Sequence, residues 1–115
     1  MRPLTSILPN VDLAFVDPSK ITKYLLDDAH PDNGGKAEFF RRLGFSAGDP
    51  ELLRLALIAH AGSNAVDQSF ETEFGTKYVI IGPMPSPSGR APAVFAIWIV
   101  RYGETVLRFV TAYPE

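Results

Sequence analysis

Hydrophobic positions recur at helical spacing in the first half of the chain and alternate in the second. In DPSKITKYLLDD, Asp17 is suited to cap a helix and Pro18 to occupy its first turn. Ile21, Tyr24, Leu25 and Asp28 then share one face, and His30-Pro31 stops the helix because the residue before proline avoids helical backbone. A second helix is predicted from Lys36 to Leu43, with Phe39, Phe40 and Leu43 inward and Gly44 as a left-handed C-terminal glycine. A third starts at Asp49-Pro50 with the same cap-and-proline pattern, carries Leu52, Leu53, Leu55, Leu57 and Ile58, and ends at Gly62. Its apolar residues surround much of the helix, which predicts packing against a sheet.

From Val66 onward β-branched and aromatic residues dominate, predicting strands near 65–73, 76–82, 92–102 and 105–113. Phe74-Gly75 and Gly103-Glu104 read as tight turns between antiparallel neighbours, and GPMPSPSGRAP as a stiff loop between the second and third strands. The expected class is α+β: three helices followed by a four-stranded antiparallel sheet, in a single domain over residues 1–115.

Composition narrows the chemistry. A net charge of −2 and a pI near 5.6 argue against broad electrostatic binding of nucleic acid and leave room only for a local basic site. With no cysteine, disulfides, thiolate metal sites and a cysteine nucleophile are excluded. MRPLTSILPN lacks a signal-type apolar segment, and the longest apolar run, AVFAIWIV, is too short to span a bilayer. The expectation is a cytoplasmic protein without membrane attachment. The two histidines have no clustered carboxylates, so neither metal nor other cofactor is expected.

The candidate chemistry starts in HPDNGGK. Lys36 opposes the helix dipole at the first turn, yet it shares the stripe of Phe39, Phe40 and Leu43. Either it joins the helix end and the glycine amides in an anion pocket, or its stem covers the core edge while its ammonium reaches water. His30 and His60 both sit at helix ends, where the dipole favours imidazolium; they are also the two natural groups for acid–base chemistry near neutral pH. In TVLRFVTAYP, alternation places Leu107, Phe109, Thr111 and Tyr113 on one face and Arg108 on the other, beside Ile97 and Ile99. A two-residue Gly103-Glu104 turn sets Phe109 opposite Trp98 and Thr111 opposite Ala96, leaving a polar notch. No phosphate loop, dinucleotide fingerprint or serine nucleophile elbow is present.

The ordered set LPN at 8–10, DP at 17–18, YLL at 24–26, HP at 30–31, GKAEFFRRLGF at 35–45, FGTKYVI at 74–80, IWIV at 97–100 and TAYP at 111–114 resembles a small bacterial family of uncharacterised domains. The layout is in turn similar to the barnase/EndoU/colicin/RelE-like ribonuclease toxins. That resemblance implies RNA cleavage without a metal, by attack of the 2′-hydroxyl on its own phosphate. It implies a site drawn from His30, Lys36, Arg108, Thr111 and Tyr113, and RNA and a cognate immunity or antitoxin protein as partners. The alternative is a non-catalytic protein-interaction module, which the acidic pI and the proline loop favour.

Overall fold

Each helix begins and ends where local chemistry dictates. The computed structural model describes Leu8 and residues 11–115. Of MRPLTSILPN only Leu8 is therefore described, and the expectation of no leader segment and the Pro9-Asn10 part of LPN lie outside the described residues. A 3-10 turn, Val11–Leu13, precedes α1, Pro18–Lys20. Asp17 caps α1 by accepting the Ser19 backbone N–H at 3.0 Å, and the Ser19 N–H and hydroxyl hold its carboxyl below the usual range. The chain then widens into a π-helical segment, Ile21–Leu25, closed by Leu26 N–H on the Ile21 carbonyl. The first helix is thus shorter than predicted. Its buried residues, Ile21, Leu25 and Leu26, follow the wider turn, while Asp28 is exposed and pairs with Arg41.

α2, Lys36–Arg42, ends in a Schellman motif. Phe45 N–H bonds the Phe40 carbonyl at 3.2 Å, Gly44 N–H bonds that of Arg41 at 2.9 Å, and Gly44 takes a φ of +97°. The predicted glycine is the one used, and the Phe40 and Phe45 rings seal the turn edge to face. The buried stripe is Ala37, Phe40 and Leu43, so Lys36 lies beside the core and not on its stripe. α3, Pro50–Ser63, buries Leu53, Leu57, His60 and Ala61. Contrary to expectation, Asp49 makes no side-chain cap, and Leu52 and Leu55 face outward at 45 and 50% exposure.

Four antiparallel strands, β1 (Val66–Glu71), β2 (Gly75–Pro83), β3 (Ala93–Arg101) and β4 (Arg108–Pro114), pair in sequence order. Both short connections are longer than two residues. Thr72 organises the first by accepting the Phe74 and Gly75 amides on its hydroxyl. After Gly103, Thr105–Leu107 stay outside the ladder. The segment before α1 docks there: Phe15 N–H donates to the Leu107 carbonyl and Phe109 N–H to that of Phe15, a parallel bridge onto the edge of β4. The proline loop is tied down as well, with Ser88 N–H on the Leu43 carbonyl and Met84 buried.

Register near the hairpin follows expectation: Ile99 faces Arg108 and Trp98 faces Phe109. Beyond it the ladder slips, and Ile97 faces Thr111 while Ala96 faces Ala112. Val110 is the extra residue of a β-bulge, which reverses the alternation that follows. Thr111 therefore does not oppose Ala96, and Ile97 is not a neighbour of Arg108. In place of a polar notch, Ala96 and Ala112 meet fully buried.

His60 joins α3 to the sheet. Its Nε2 lies 3.1 Å from the Gly82 carbonyl and 3.0 Å from that of Val94, so Nε2 carries the proton and donates. Nδ1 is buried with no partner among the described residues. His60 is a core residue, and not the exposed helix-end imidazolium its position suggested. Burial pushes its pKa below the ordinary 6.5, against the opposing effect of the two carbonyls. An unfolded chain takes up this proton near pH 6.5, before the folded protein does. Its contribution to stability is thus complete above that pH and is lost as pH falls through the folded value. The melting temperature should fall as pH is lowered below about 6.5, and His60→Gln, which keeps a donor and cannot protonate, should flatten that limb. Trp98, fully buried and edge to face with Phe109 at 5.4 Å, provides the packing test. In denaturant titration Trp98→Ala should cost about 3–5 kcal/mol.

Candidate functional site

The loop between the first helix and α2 is a run of three turns, each closed three residues on. His30 N–H bonds the Asp27 carbonyl, Asn33 N–H that of His30, and Lys36 N–H that of Asn33, at 3.1, 3.0 and 3.1 Å. Gly34 and Gly35, at φ +61° and +88°, supply the left-handed backbone that turns the chain into α2. Asn33, 2% exposed, fixes the loop. Its Oδ1 accepts Ala37 N–H at 2.9 Å, and its Nδ2 donates to the carbonyls of Tyr24 and Leu25. Those carbonyls end the π-helical segment, so one side chain caps two elements at once. The amide of Ala37 is already used, and the anion pocket predicted at this helix end is not built from it.

Around this loop the side chains gather on Tyr24. The Tyr24 hydroxyl and Thr111 Oγ1 are 2.8 Å apart, and the His30 ring packs edge to face on Tyr24 at 5.0 Å. Lys36 Nζ lies 5.5 Å from the Tyr24 ring centre and 5.7 Å from that of Tyr113. It is held there by the carbonyls of Asp32 and Asn33, both at 3.1 Å. The ammonium thus sits at the edge of the core, beside two tyrosine rings. Tyr113 in turn stacks on Phe95 at 4.7 Å.

The bulge makes this meeting possible. By reversing the alternation after Val110 it directs Thr111 and Tyr113 away from Ala96 and Ala112, toward the loop. The Val110 carbonyl accepts Lys20 Nζ at 3.2 Å, and Lys20 lies 5.6 Å from the Tyr24 ring centre. Lys20, Lys23, Tyr24, His30 and Thr111 line an open groove in which Asp32 is, among the described residues, the one carboxylate. A net-negative protein thus carries a basic groove at the edge of its sheet.

Of the five residues singled out in the sequence, His30, Lys36 and Thr111 meet at Tyr24, and Tyr113 joins them through Lys36. Arg108 does not: its guanidinium bonds Glu104 at 3.1 Å and lies over the Phe15 ring. Tyr24 and Lys20 were missed. Both sit three residues from a recognised helix position, and Tyr24 read as a core residue; its partner Thr111 is 87 residues distant, with no local signal to connect them.

His30 has a defined tautomer. Its Nδ1 accepts the Asp32 N–H at 3.0 Å, so the neutral ring carries its proton on Nε2. Among the described residues no three His, Cys, Asp or Glu side chains converge on a metal-sized point. No helix among them is long and apolar enough to cross a membrane.

Helices stacked on one face of a four-stranded antiparallel sheet, with a basic groove at the β4 edge, define an α+β domain of the helices-first kind. The chain belongs to DUF6883, a family of domains of unknown function whose model matches residues 7–115. This agrees with the resemblance to a family of uncharacterised domains. No match is found among curated proteins. Among solved structures the chain is similar to one from a contact-dependent growth inhibition toxin–immunity protein complex of Klebsiella pneumoniae 342. The TM-score is 0.69 at 18% identity, covering 87% of this chain and 98% of that one, which establishes a shared fold.

The geometry makes Asn33 the keystone of the site. Asn33→Ala strands the buried Ala37 amide and should cost about 1–3 kcal/mol. Asn33→Asp keeps that acceptor but sets a carboxylate against two carbonyls, and denaturant titration should find it at least as destabilising.

Proposed function

We propose that this domain is a toxin-type, metal-independent ribonuclease. The observation that carries the reading is the convergence of an imidazole, the Thr111 hydroxyl and two ammonium groups on Tyr24, in an otherwise acidic protein. The fold shared with a chain of a toxin–immunity complex supports it. In this mechanism the substrate phosphate sits against the Tyr24–Thr111 hydroxyl pair. The RNA 2′-oxygen attacks phosphorus as its proton passes to His30, the bond to the 5′-oxygen breaks, and that oxygen leaves with a proton from the Tyr24 hydroxyl, which His30 later restores. A 2′,3′-cyclic phosphate remains.

Lys36 and Lys20 offset the charge that develops on the phosphoryl oxygens, and Tyr113 holds Lys36 in place. While His30 keeps its bond from the Asp32 amide, it presents Nε2–H as a donor to a phosphoryl oxygen. It serves as base for the 2′-hydroxyl only when that bond opens and frees a lone pair. Arg108, paired with Glu104, has no part in this scheme. A cognate immunity or antitoxin protein is the protein partner the reading implies.

The second reading, a non-catalytic interaction module, draws on the exposed Leu52 and Leu55 of α3. Cleavage assays separate the two. Lys36→Ala and His30→Ala should each lower RNA cleavage by at least about a hundredfold, the scale of a lost acid–base or charge-stabilising group. The melting temperature should shift little for His30→Ala. Activity should be unchanged by EDTA. A folded wild type that cleaves no RNA, or variants that cleave normally, would leave the module reading standing.

A further inference from the structure

The groove holds more positive charge than a single phosphate requires. Lys20 and Lys23 are one turn apart on the segment that carries Tyr24, and both line the groove. Lys20 is anchored on the Val110 carbonyl. Lys23 is exposed, and among the described residues it has no ion pair. Next to this groove, linked to it by Lys36 at 5.5 Å from the Tyr24 ring centre, is a second concavity, formed by Gly34, Gly35, Lys36, Tyr113 and Pro114. One wall of it is the Tyr113 ring, part-exposed and backed by Phe95 at 4.7 Å. Two concavities therefore adjoin at Tyr24: one carries Lys20 and Lys23 beside the hydroxyl pair, the other a single lysine and the Tyr113 ring.

We infer that these are successive subsites for a single-stranded polynucleotide whose backbone crosses the Tyr24–Thr111 bond. Lys20 and Lys23 take the neighbouring phosphate, and the Gly34–Lys36 loop with Tyr113 takes the nucleotide at the second concavity. This rests on the ribonuclease reading and adds to it the strandedness and a minimum length. A duplex fits poorly, because its bases are paired and stacked and have no face to offer Tyr113, whereas an unpaired base does. The glycines matter on that side for their backbone: φ values of +61° and +88° at Gly34 and Gly35 are strained for any residue with a Cβ.

The test is binding without chemistry. A six-nucleotide RNA, 2′-O-methylated throughout so that it cannot be attacked, is titrated by fluorescence anisotropy at several salt concentrations, alone and as a duplex. Single-strand affinity should fall with salt at a log–log slope of about −2, roughly 0.7 for each ammonium–phosphate contact made by Lys20, Lys23 and Lys36. Lys23→Gln should reduce that slope by about 0.7. Tyr113→Ala should weaken single-strand binding about fivefold or more. The inference is overturned if the strand is not bound, if the duplex binds as tightly, or if Lys20→Gln and Lys23→Gln both leave the slope unchanged. Unmodified RNA of the same sequence, assayed for cleavage alongside, separates the two claims. Binding with these dependences but no cleavage removes the nuclease reading and keeps the subsites; cleavage with equal single-strand and duplex affinity does the reverse.

Discussion

Asn33 is the side chain on which the rest of the site depends. It is small, polar and almost fully buried, a combination tolerated only when its amide is fully paired. Its oxygen closes the start of α2 and its nitrogen closes the end of the π-helical segment. The two helical elements are thereby set at a fixed spacing, with a loop of only ten residues, 26–35, between them. His30 and Lys36 ride on that loop, three residues to either side of Asn33. Their approach to Tyr24 follows from this one amide, and the Tyr113 ring of β4 adds a contact to Lys36.

The sheet meets the loop through a second irregularity. A regular β4 would point Thr111 and Tyr113 toward the same side as Phe109, into the layer where Ala96 and Ala112 now meet. The bulge at Val110 exchanges those positions, so small residues fill the core and hydroxyl-bearing ones face the groove. The π-helical turn and the β-bulge each add a residue to a regular element, and they lie on facing elements at the same place. Both kinds of insertion are over-represented at functional sites, where they re-aim side chains at some cost in regularity. Two of them facing each other across one tyrosine–threonine hydrogen bond is a stronger pointer than either alone. The remaining polar burial in the core, His60, has a structural explanation in its carbonyl contacts and lies outside this groove.

The architecture was legible because it rests on periodicity. Helix order, strand order and the Trp98–Phe109 pair follow from hydrophobic spacing, and Gly44 announced the Schellman turn. What escaped the sequence was each place where one residue departs from a period. Val110 is a good strand residue with nothing in its side chain to mark a bulge, so the face of every residue after it was misassigned. Asn33 looks like an ordinary loop asparagine, since the carbonyls it pairs belong to another element. Arg108 was expected near the phosphate because its partner Glu104 and the Phe15 bridge were both invisible to strand alternation. His30, Lys36 and Thr111 meet at Tyr24, with Tyr113 joined through Lys36, and Tyr24 also packs against the core as its helical spacing suggested.

The account's central claim is that the hydroxyl pair and its surrounding cations serve attack by an RNA 2′-oxygen. The most direct measurement is the chemistry of the ends produced from an RNA strand carrying one 2′-deoxy substitution at an otherwise favoured cleavage position. The account predicts 2′,3′-cyclic phosphate ends at every cut and no cut at the substituted nucleotide. Cleavage at the deoxy position, or products ending in a 3′-hydroxyl, would contradict it.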